Sequence, residues 1–397
     1  MFNRRVVTIC LEGLYYVFVL AFIVVGATLR DINLLFVLAG MMMGPLLFNW
    51  RLVVLAVRRL EVARRLPAQV FAGRPFLVEI HGENQRKHLG SSMLVVEDAI
   101  ATETADEGAS VNGAKASVKV MLPYIPASQS RKTTYRVTLP RRGKYRFGPL
   151  KAFTRFPLGL VKATARFRQY ERVVAFPRLG RLAPQWTKLL ESDRYGRHQV
   201  HSRQGPIDGD YYGLREWRPG DSKRWIHWRM TAKLGKLAVR QFEQQQNRDL
   251  ALVLDLWLPN EPTDEDIGRV EFAVSFAATL VDELARRGGS QLMIASAGSR
   301  TGCWSAKATA VFARQTLERL AVVRASSNDR LAEVLARVLA DVPMGTQVAV
   351  ISTRSTTLDS VCDSSIFVDK PRHQRSLERV IWLDVNDSRV WDVFQLD

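Results

Sequence analysis

Cysteine is nearly absent. The chain has three, Cys10, Cys303 and Cys362, odd in number and far apart. No disulfide framework can be drawn from them, and the soluble part fits a reducing compartment. Carboxylates are the second scarcity, with 39 Asp and Glu against 57 Lys and Arg and a net charge of +18. That excess points to an anionic partner: a lipid surface, nucleic acid or an acidic protein. There is no low-complexity basic tail, RNA-binding aromatic motif or zinc-finger spacing, which makes nucleic acid the weakest of the three. A Gly-x-Ser-x-Gly nucleophile motif is missing as well. The sequence is read as non-enzymatic, with no catalytic residue, metal or cofactor assigned.

What is present begins with long apolar runs. Residues 6–29 are apolar except for Glu12, and residues 32–57 are broken only by Asn33, Asn49 and Arg51. Each run is near the ~20 residues that cross a bilayer core as a helix. A signal peptide is the rival reading of the first run, but no small-residue cleavage site follows and the second run begins at once. Arg4 and Arg5 precede the pair, Arg58, Arg59, Arg64 and Arg65 follow it, and Arg30 and Asp31 cancel in the turn. The positive-inside rule then puts both ends in the cytoplasm, with Arg51 snorkelling to the same face. The arginines at 58–65 also offer a surface for anionic lipid.

The 397 residues leave room for two or three domains beyond the hairpin. Short alternating segments at 76–84, 91–99, 117–125, 133–140 and 172–179 predict strands, separated by Gly, Pro and Asn. They suggest an antiparallel β-sandwich of immunoglobulin type. From 249 onward strands and helices alternate. Strands are expected at 249–256, 291–297, 346–352 and 378–385, and helices near 264–287, 308–323 and 328–341. The first of these helices opens on Thr263 as N-cap and closes at Gly288–Gly289. Runs such as LALVLDL and QVAVIS, without alternation, predict a parallel sheet covered on both faces. The expected order is a transmembrane hairpin over 1–60, a sandwich over 61–185, a connector over 186–248 and an α/β domain over 249–397.

The connector holds the densest chemistry. Gly205–Phe242 packs Trp217, Trp225 and Trp228 with many cations and three aspartates around a Pro-Gly turn. Gly209, Asp210, Leu214, Arg215, Trp217, Pro219, Gly220, Asp221, Arg224, Ile226, Trp228, Ala232, Gly235 and Arg240 resemble the signature of the bacterial family called domain of unknown function 58. The hairpin and the segment RRGKYRFGPLKAFTRFPLGL at 141–160 are similar to that family too. The resemblance implies an α+β multidomain protein anchored in the bacterial inner membrane. Its C-terminal α/β domain would be von Willebrand factor A-like, of Rossmann type. It also implies a MoxR-type AAA+ ATPase as partner, and no known activity.

In von Willebrand A-like domains the first strand ends in Asp-x-Ser-x-Ser, which binds Mg²⁺. Here it ends Asp255-Leu256-Trp257-Leu258-Pro259. Two hydroxyl ligands are gone, and Thr353 and Arg354 stand where an acidic residue is expected, so Asp255 marks a degenerate metal position. The alternative reading is a membrane-associated metal-dependent hydrolase built on His198, His201, His227, Asp208, Asp210 and Asp221, although their spacing is not diagnostic. The signature itself has two compatible readings. Asp210, Arg215, Trp217, Asp221, Arg224, Trp225, Trp228 and Arg240 lock two domains together or form a partner-binding face, since aromatic and arginine side chains dominate interface hot spots. The function expected is a membrane-anchored adaptor serving envelope assembly or stress tolerance.

Overall fold

Three consecutive β-branched residues, Val6, Val7 and Thr8, with Ile9 behind them, favour extended backbone over helix. In the computed structural model Arg4–Ile9 is accordingly a strand, β1. The first apolar run is therefore two elements, and its helix, α1, covers only Leu11–Arg30. A tight turn follows, with Asp31 in the left-handed region (φ 45°), before α2 over Asn33–Val57. Both helices are long and apolar enough to span a membrane, with mean hydropathy of 1.9 and 1.5. The structure describes residues 4–103, 115–189, 211–218, 223–242, 249–343, 346–354 and 380–396, with Leu358, Val361, Phe367 and Leu377 singly. The chain is a mixed α+β protein that divides into two units, one containing Met1–Leu179 and the other Gly180–Arg314 with Val323–Leu396.

In the first unit, α2 is followed by β2 (Leu60–Arg65), β3 (Val70–Phe71), β4 (Pro75–Asn84) and β5 (Ser91–Thr102). Then come β6 (Lys115–Ile125), β7 (Ser130–Thr138), β8 (Gly143–Thr154), β9 (Val161–Phe167) and β10 (Glu171–Phe176). Strands β2, β4 and β7 make one antiparallel sheet, and β1, β9, β8, β10, β3, β5 and β6 make the other. Their inward residues, among them Val62, Ile80, Leu94, Leu122 and Phe147, share one core. The expected strands are all found, β8 falls on the 141–160 segment, and β1, β2, β3 and β9 add to them.

The helices are built into this unit. β1 pairs antiparallel with β9, Arg5 opposite Ala165 and Ile9 opposite Val161. The Cys10 N–H donates to Leu160 O at 2.9 Å, and Val161 N–H donates to the Asn49 side chain at 3.1 Å. Asn49, Val53 and Val57 are fully buried, and the two valines belong to the sandwich core. The last two turns of α2 are thus core elements of the sandwich. A Cβ on Gly13 would lie 2.0 Å from Leu160 O. Gly13→Ala is therefore expected to destabilise the helix–sheet joint by about 1–3 kcal/mol, read as a lower Tm of the full chain in detergent with unchanged helix content.

Arg64 departs from its expected role at the membrane surface. It faces inward on β2, its side chain 0 % exposed, and donates to Asp98 at 2.6 Å. Arg64 also donates to Phe147 O at 3.2 Å, and Tyr135 donates to the second Asp98 oxygen at 2.6 Å. A guanidinium buried and paired in this way cannot bind lipid, whereas Arg58, Arg59 and Arg65 are exposed.

The second unit opens with β11 (Gly180–Leu182), α3 (Trp186–Leu189), β12 (Tyr211–Glu216), α4 (Trp228–Leu234) and β13 (Ala238–Phe242). Its central sheet is formed by β14 (Leu250–Asp255), β15 (Gln291–Ala297), β16 (Gly302–Lys307), β17 (Gln347–Ser352) and β18 (Val380–Asp384). The order is β16-β15-β14-β17-β18, parallel except at the β15–β16 edge. Every residue of β14 is buried, as a strand covered on both faces must be. Helix α5 (Asp264–Arg287) starts in a capping box between Thr263 and Asp266 and ends at Gly288. Helices α6 (Ala310–Val322) and α7 (Leu331–Asp341) complete the alternation, and Leu331, Leu335 and Val338 of α7 sit in the core with Val253 and Val350. The sequence gives little sign of β16 or of the C-terminal closure, α8 (Ser388–Val393) and β19 (Phe394–Leu396). There β19 pairs with β11, and Trp391 stacks on Phe272 of α5 at 4.1 Å.

Candidate functional site

Parallel strands end with their carbonyls and last side chains at one edge, where α/β sheets place ligands. β14 ends there at Asp255, level with Ala297 of β15 and Ser352 of β17. The Asp255 carboxylate is buried and accepts from Ser352 Oγ and from Arg354 Nε, both at 2.9 Å. Arg354 then turns its two terminal nitrogens onto Asp329, at 2.8 and 2.7 Å. This fork-on-fork geometry suits guanidinium and carboxylate. The guanidinium also lies 5.8 Å from the centre of the Trp257 ring.

Trp257, which replaces the first of the expected serines, is tied down. Trp257 N–H donates to Thr353 Oγ1 at 3.1 Å, and the same hydroxyl donates to Trp257 O at 2.8 Å. The Trp257 indole donates to Ser327 O at 3.1 Å. Asp329 also accepts from Leu331 N–H, the first residue of α7, at 3.2 Å. Asp255 is thus an ion-pair member rather than a loop or helix cap. Asp329, Ser352 and Thr353 go unassigned in the sequence, where the clearest clue is an aspartate just ahead of the apolar helix α7.

Burial sets the electrostatics first. It pushes the Asp255 carboxyl above the usual aspartate range, against the opposing pull of Arg354 and Ser352. Asp329 is held below that range by its hydrogen bonds from Arg354. Burial alone pulls the Arg354 guanidinium down, but its two carboxylates outweigh this and hold it up. Asp255 and Arg354 shift the same way because Arg354 has a second partner in Asp329 while Asp255 carries the greater loss of water. Arg354 therefore stays charged, holding one oxygen of Asp255 and both oxygens of Asp329.

The signature forms its own local unit. β12 and β13 pair antiparallel, Leu214 opposite Arg240 and Glu216 opposite Ala238. Between them lie a 3-10 turn at Lys223–Trp225 and helix α4. His227 caps α4, its Nδ1 accepting from Met230 N–H at 3.3 Å, and Gly235 ends it in the left-handed conformation (φ 66°). Trp217 N–H donates to Leu237 O at 2.8 Å. Trp225 is half-buried, Arg224 is exposed and Trp228 is 66 % exposed. Arg215 and Arg240 are placed on paired strands by their backbones. Asp210 and Asp221 lie outside the described residues, as do His198, His201 and Asp208 of the hydrolase reading. Among the described residues no group of three or more His, Cys, Asp or Glu converges as a metal-ligand set.

Comparison with known proteins bears on this region. Residues 213–342, from β12 to the end of α7, match the family described as protein of unknown function DUF58. The chain is 23 % identical over 163 residues to the uncharacterized protein YeaD of Bacillus subtilis (strain 168), covering 41 % of this chain and 39 % of that protein. It thus spans less than half the length of that curated relative. Among solved structures, the sporulation control protein Spo0M of Bacillus subtilis covers 34 % of this chain and 55 % of its own, at 9 % identity and a TM-score of 0.19. The pilus adhesin RrgA of Streptococcus pneumoniae covers 66 % and 40 %, at 9 % identity and a TM-score of 0.19. Likenesses this slight carry no argument about fold or function. The sequence matches do, and through residues 213–342 they support assigning this region to the DUF58 family of proteins of unknown function.

Proposed function

We propose that the chain is a membrane-anchored, non-enzymatic adaptor whose second unit binds another protein. In this reading the first unit is a sandwich of immunoglobulin type, and the second is a von Willebrand A-like domain of Rossmann type. The closed triad at the sheet edge carries the proposal. Arg354 brings to Asp255 the positive charge that a divalent cation would otherwise supply, and it engages Asp329 as well. A site whose carboxylates are both engaged by a fixed guanidinium is suited to contact rather than chemistry. Exposed Trp228 and Arg224 on the signature unit are side chains of the kind that anchor interfaces.

A MoxR-type AAA+ ATPase is the proposed partner, in a system serving envelope assembly or stress tolerance. The soluble units would face the cytoplasm from the bacterial inner membrane, as Arg5, Arg58 and Arg59 on the flanks of the helices favour. Pairing of β1 with β9 supports the two-span arrangement, because it requires the residues before α1 and the sandwich to share one side. The test is co-purification of the full chain from detergent with such an ATPase. Trp228→Ala and Arg224→Ala are expected to weaken the complex at least ~10-fold while leaving the Tm unchanged. Normal binding by both variants would remove the signature unit from the interface.

A further inference from the structure

The pole of the first unit that carries the helices is also the end where several strands meet. β1 stops there at Ile9, β4 at Asn84, β6 at Ile125 and β8 at Thr154, while β5 starts at Ser91 and β9 at Val161. Side chains hold the pole to α2. Ser91 Oγ donates to Ala56 O at 2.9 Å, Arg86 reaches the same carbonyl at 3.4 Å, and Arg86 also donates to Ser91. Thr154 donates to Ser92 O at 3.2 Å, which joins the end of β8 to the start of β5.

Where does the bilayer end on these helices? Because Leu46, Asn49, Val53 and Val57 pack against the sandwich, α2 is clear of it only from Asn33 to Pro45. That length is roughly 20 Å at ~1.5 Å per residue, less than the ~30 Å of a hydrocarbon core. Aromatic side chains mark the same boundary. Trp50 follows Asn49, which binds the first residue of β9, and Tyr15 lies two residues past Gly13, which touches Leu160. Both are more than half exposed, as Trp and Tyr are at the level of lipid headgroups. The turn at 155–160 lies at that level too.

The pole has the surface such a position requires. Phe156, Leu158 and Leu89 on its loops, with Met93 and Tyr124 at the near ends of β5 and β6, are large apolar side chains, each 44–53 % exposed. Exposed Arg58, Arg59, Lys87 and Arg155 stand among them. The segments 85–93, 121–132 and 153–162 contain no Asp or Glu, although Glu61 and Glu83 face each other just below the pole. Apolar tips ringed by cations match an interface with hydrocarbon on one side and anionic headgroups on the other.

We infer that this pole of the sandwich is seated in the interfacial layer of an anionic bilayer, with Phe156, Leu158 and Leu89 entering the acyl boundary and Arg155, Lys87, Arg58 and Arg59 on headgroup phosphates. The inference rests on the two helices crossing the membrane. It makes the domain a fixed extension of the anchor rather than a body on a tether, since Cys10 and Arg58–Arg59 are the whole of the connections between helices and strands.

The test uses the full chain with Cys10, Cys303 and Cys362 replaced by serine and one new cysteine labelled with an environment-sensitive fluorophore. Leu158→Cys and Leu89→Cys report the pole, and Leu77→Cys, exposed toward the far end of β4, is the reference. Each protein is reconstituted in phosphatidylcholine–phosphatidylglycerol vesicles containing lipids spin-labelled near the headgroup end of the acyl chain. Quenching at Leu158 and Leu89 is expected to exceed that at Leu77 at least threefold. Equal quenching at all three sites, in protein that still resists alkaline carbonate extraction, would overturn the seating while leaving the anchor intact. Pole probes that stay open to aqueous iodide would overturn it in favour of a protein-facing pole. Extraction by carbonate would overturn the membrane anchor itself.

Discussion

Arg354→Met is expected to cost the second unit about 3 kcal/mol at pH 7, and much less at pH 4. Removing one partner of a buried ion pair strands the other, which typically costs ~3–5 kcal/mol. The lower figure applies here because Asp329 is 59 % exposed and can be rehydrated. The pH dependence follows from the two carboxylates. In the native chain Asp329 is held below its ordinary range by Arg354. Its stabilising contribution is present above the unfolded pKa and is lost as pH falls through the folded one. Asp255 is held above its range by burial, with Arg354 opposing. Without Arg354 its folded pKa climbs further, so the folded state keeps a proton that the unfolded chain gives up, and stability falls as pH rises above the unfolded value near 3.8. Both effects make the variant's deficit grow from pH 4 to pH 7. Thermal melts in detergent at the two pH values read it directly. An equal deficit at both would mean that the guanidinium serves packing alone. Arg354→Met combined with Asp255→Asn is expected to recover most of the loss.

In the first unit, Arg64→Met is expected to cost about 3–5 kcal/mol, because Asp98 is 1 % exposed and would be left with a carboxylate far from water. Tyr135 would remain its one hydrogen-bond donor among those described. Burial, and then Asp98, already raise the Tyr135 hydroxyl pKa, so this hydroxyl donates its hydrogen bond and does not ionise. Tyr135→Phe should cost less, about 1–2 kcal/mol, as the loss of one hydrogen bond to a charged group. Arg64→Met with Asp98→Leu removes both charges and should lie closer to the native chain than Arg64→Met alone. Limited proteolysis of the detergent-solubilised chain reports this, through the rate at which the fragment containing β2–β10 is lost. If single and double variants are cut equally fast, the pair contributes shape rather than charge balance.

How much of this is legible in the sequence depends on the range of the interactions involved. Helix α5 is written locally: Thr263 and Asp266 cap one end, Gly288 closes the other, and the expected and observed limits coincide. The parallel strands are similarly plain, because six consecutive buried residues in β14 leave an unbroken apolar run. β1 is hidden because Val6–Ile9 is as apolar as the helix it adjoins, and hydropathy does not distinguish β-branched strand from membrane helix. β2 does alternate, Leu60, Val62 and Arg64 pointing inward, but an inward arginine breaks the apolar pattern. Its partner Asp98 lies on another strand. The sheet-edge triad shows the same limit. Asp255 is visible as the last residue of a strand, but Asp329 and Arg354 join it only once two later loops return to the same edge.

Pairing of Arg4–Ile9 with Val161–Arg166 has a consequence for the order of assembly. The two strands are separated by about 150 residues, and contacts of such long range form late. β1, α1 and α2 all leave the ribosome well before β9, so β1 waits without that neighbour until β9 has been made. The sandwich must then close around a helix pair already formed, using the tail of α2 as a template for its core.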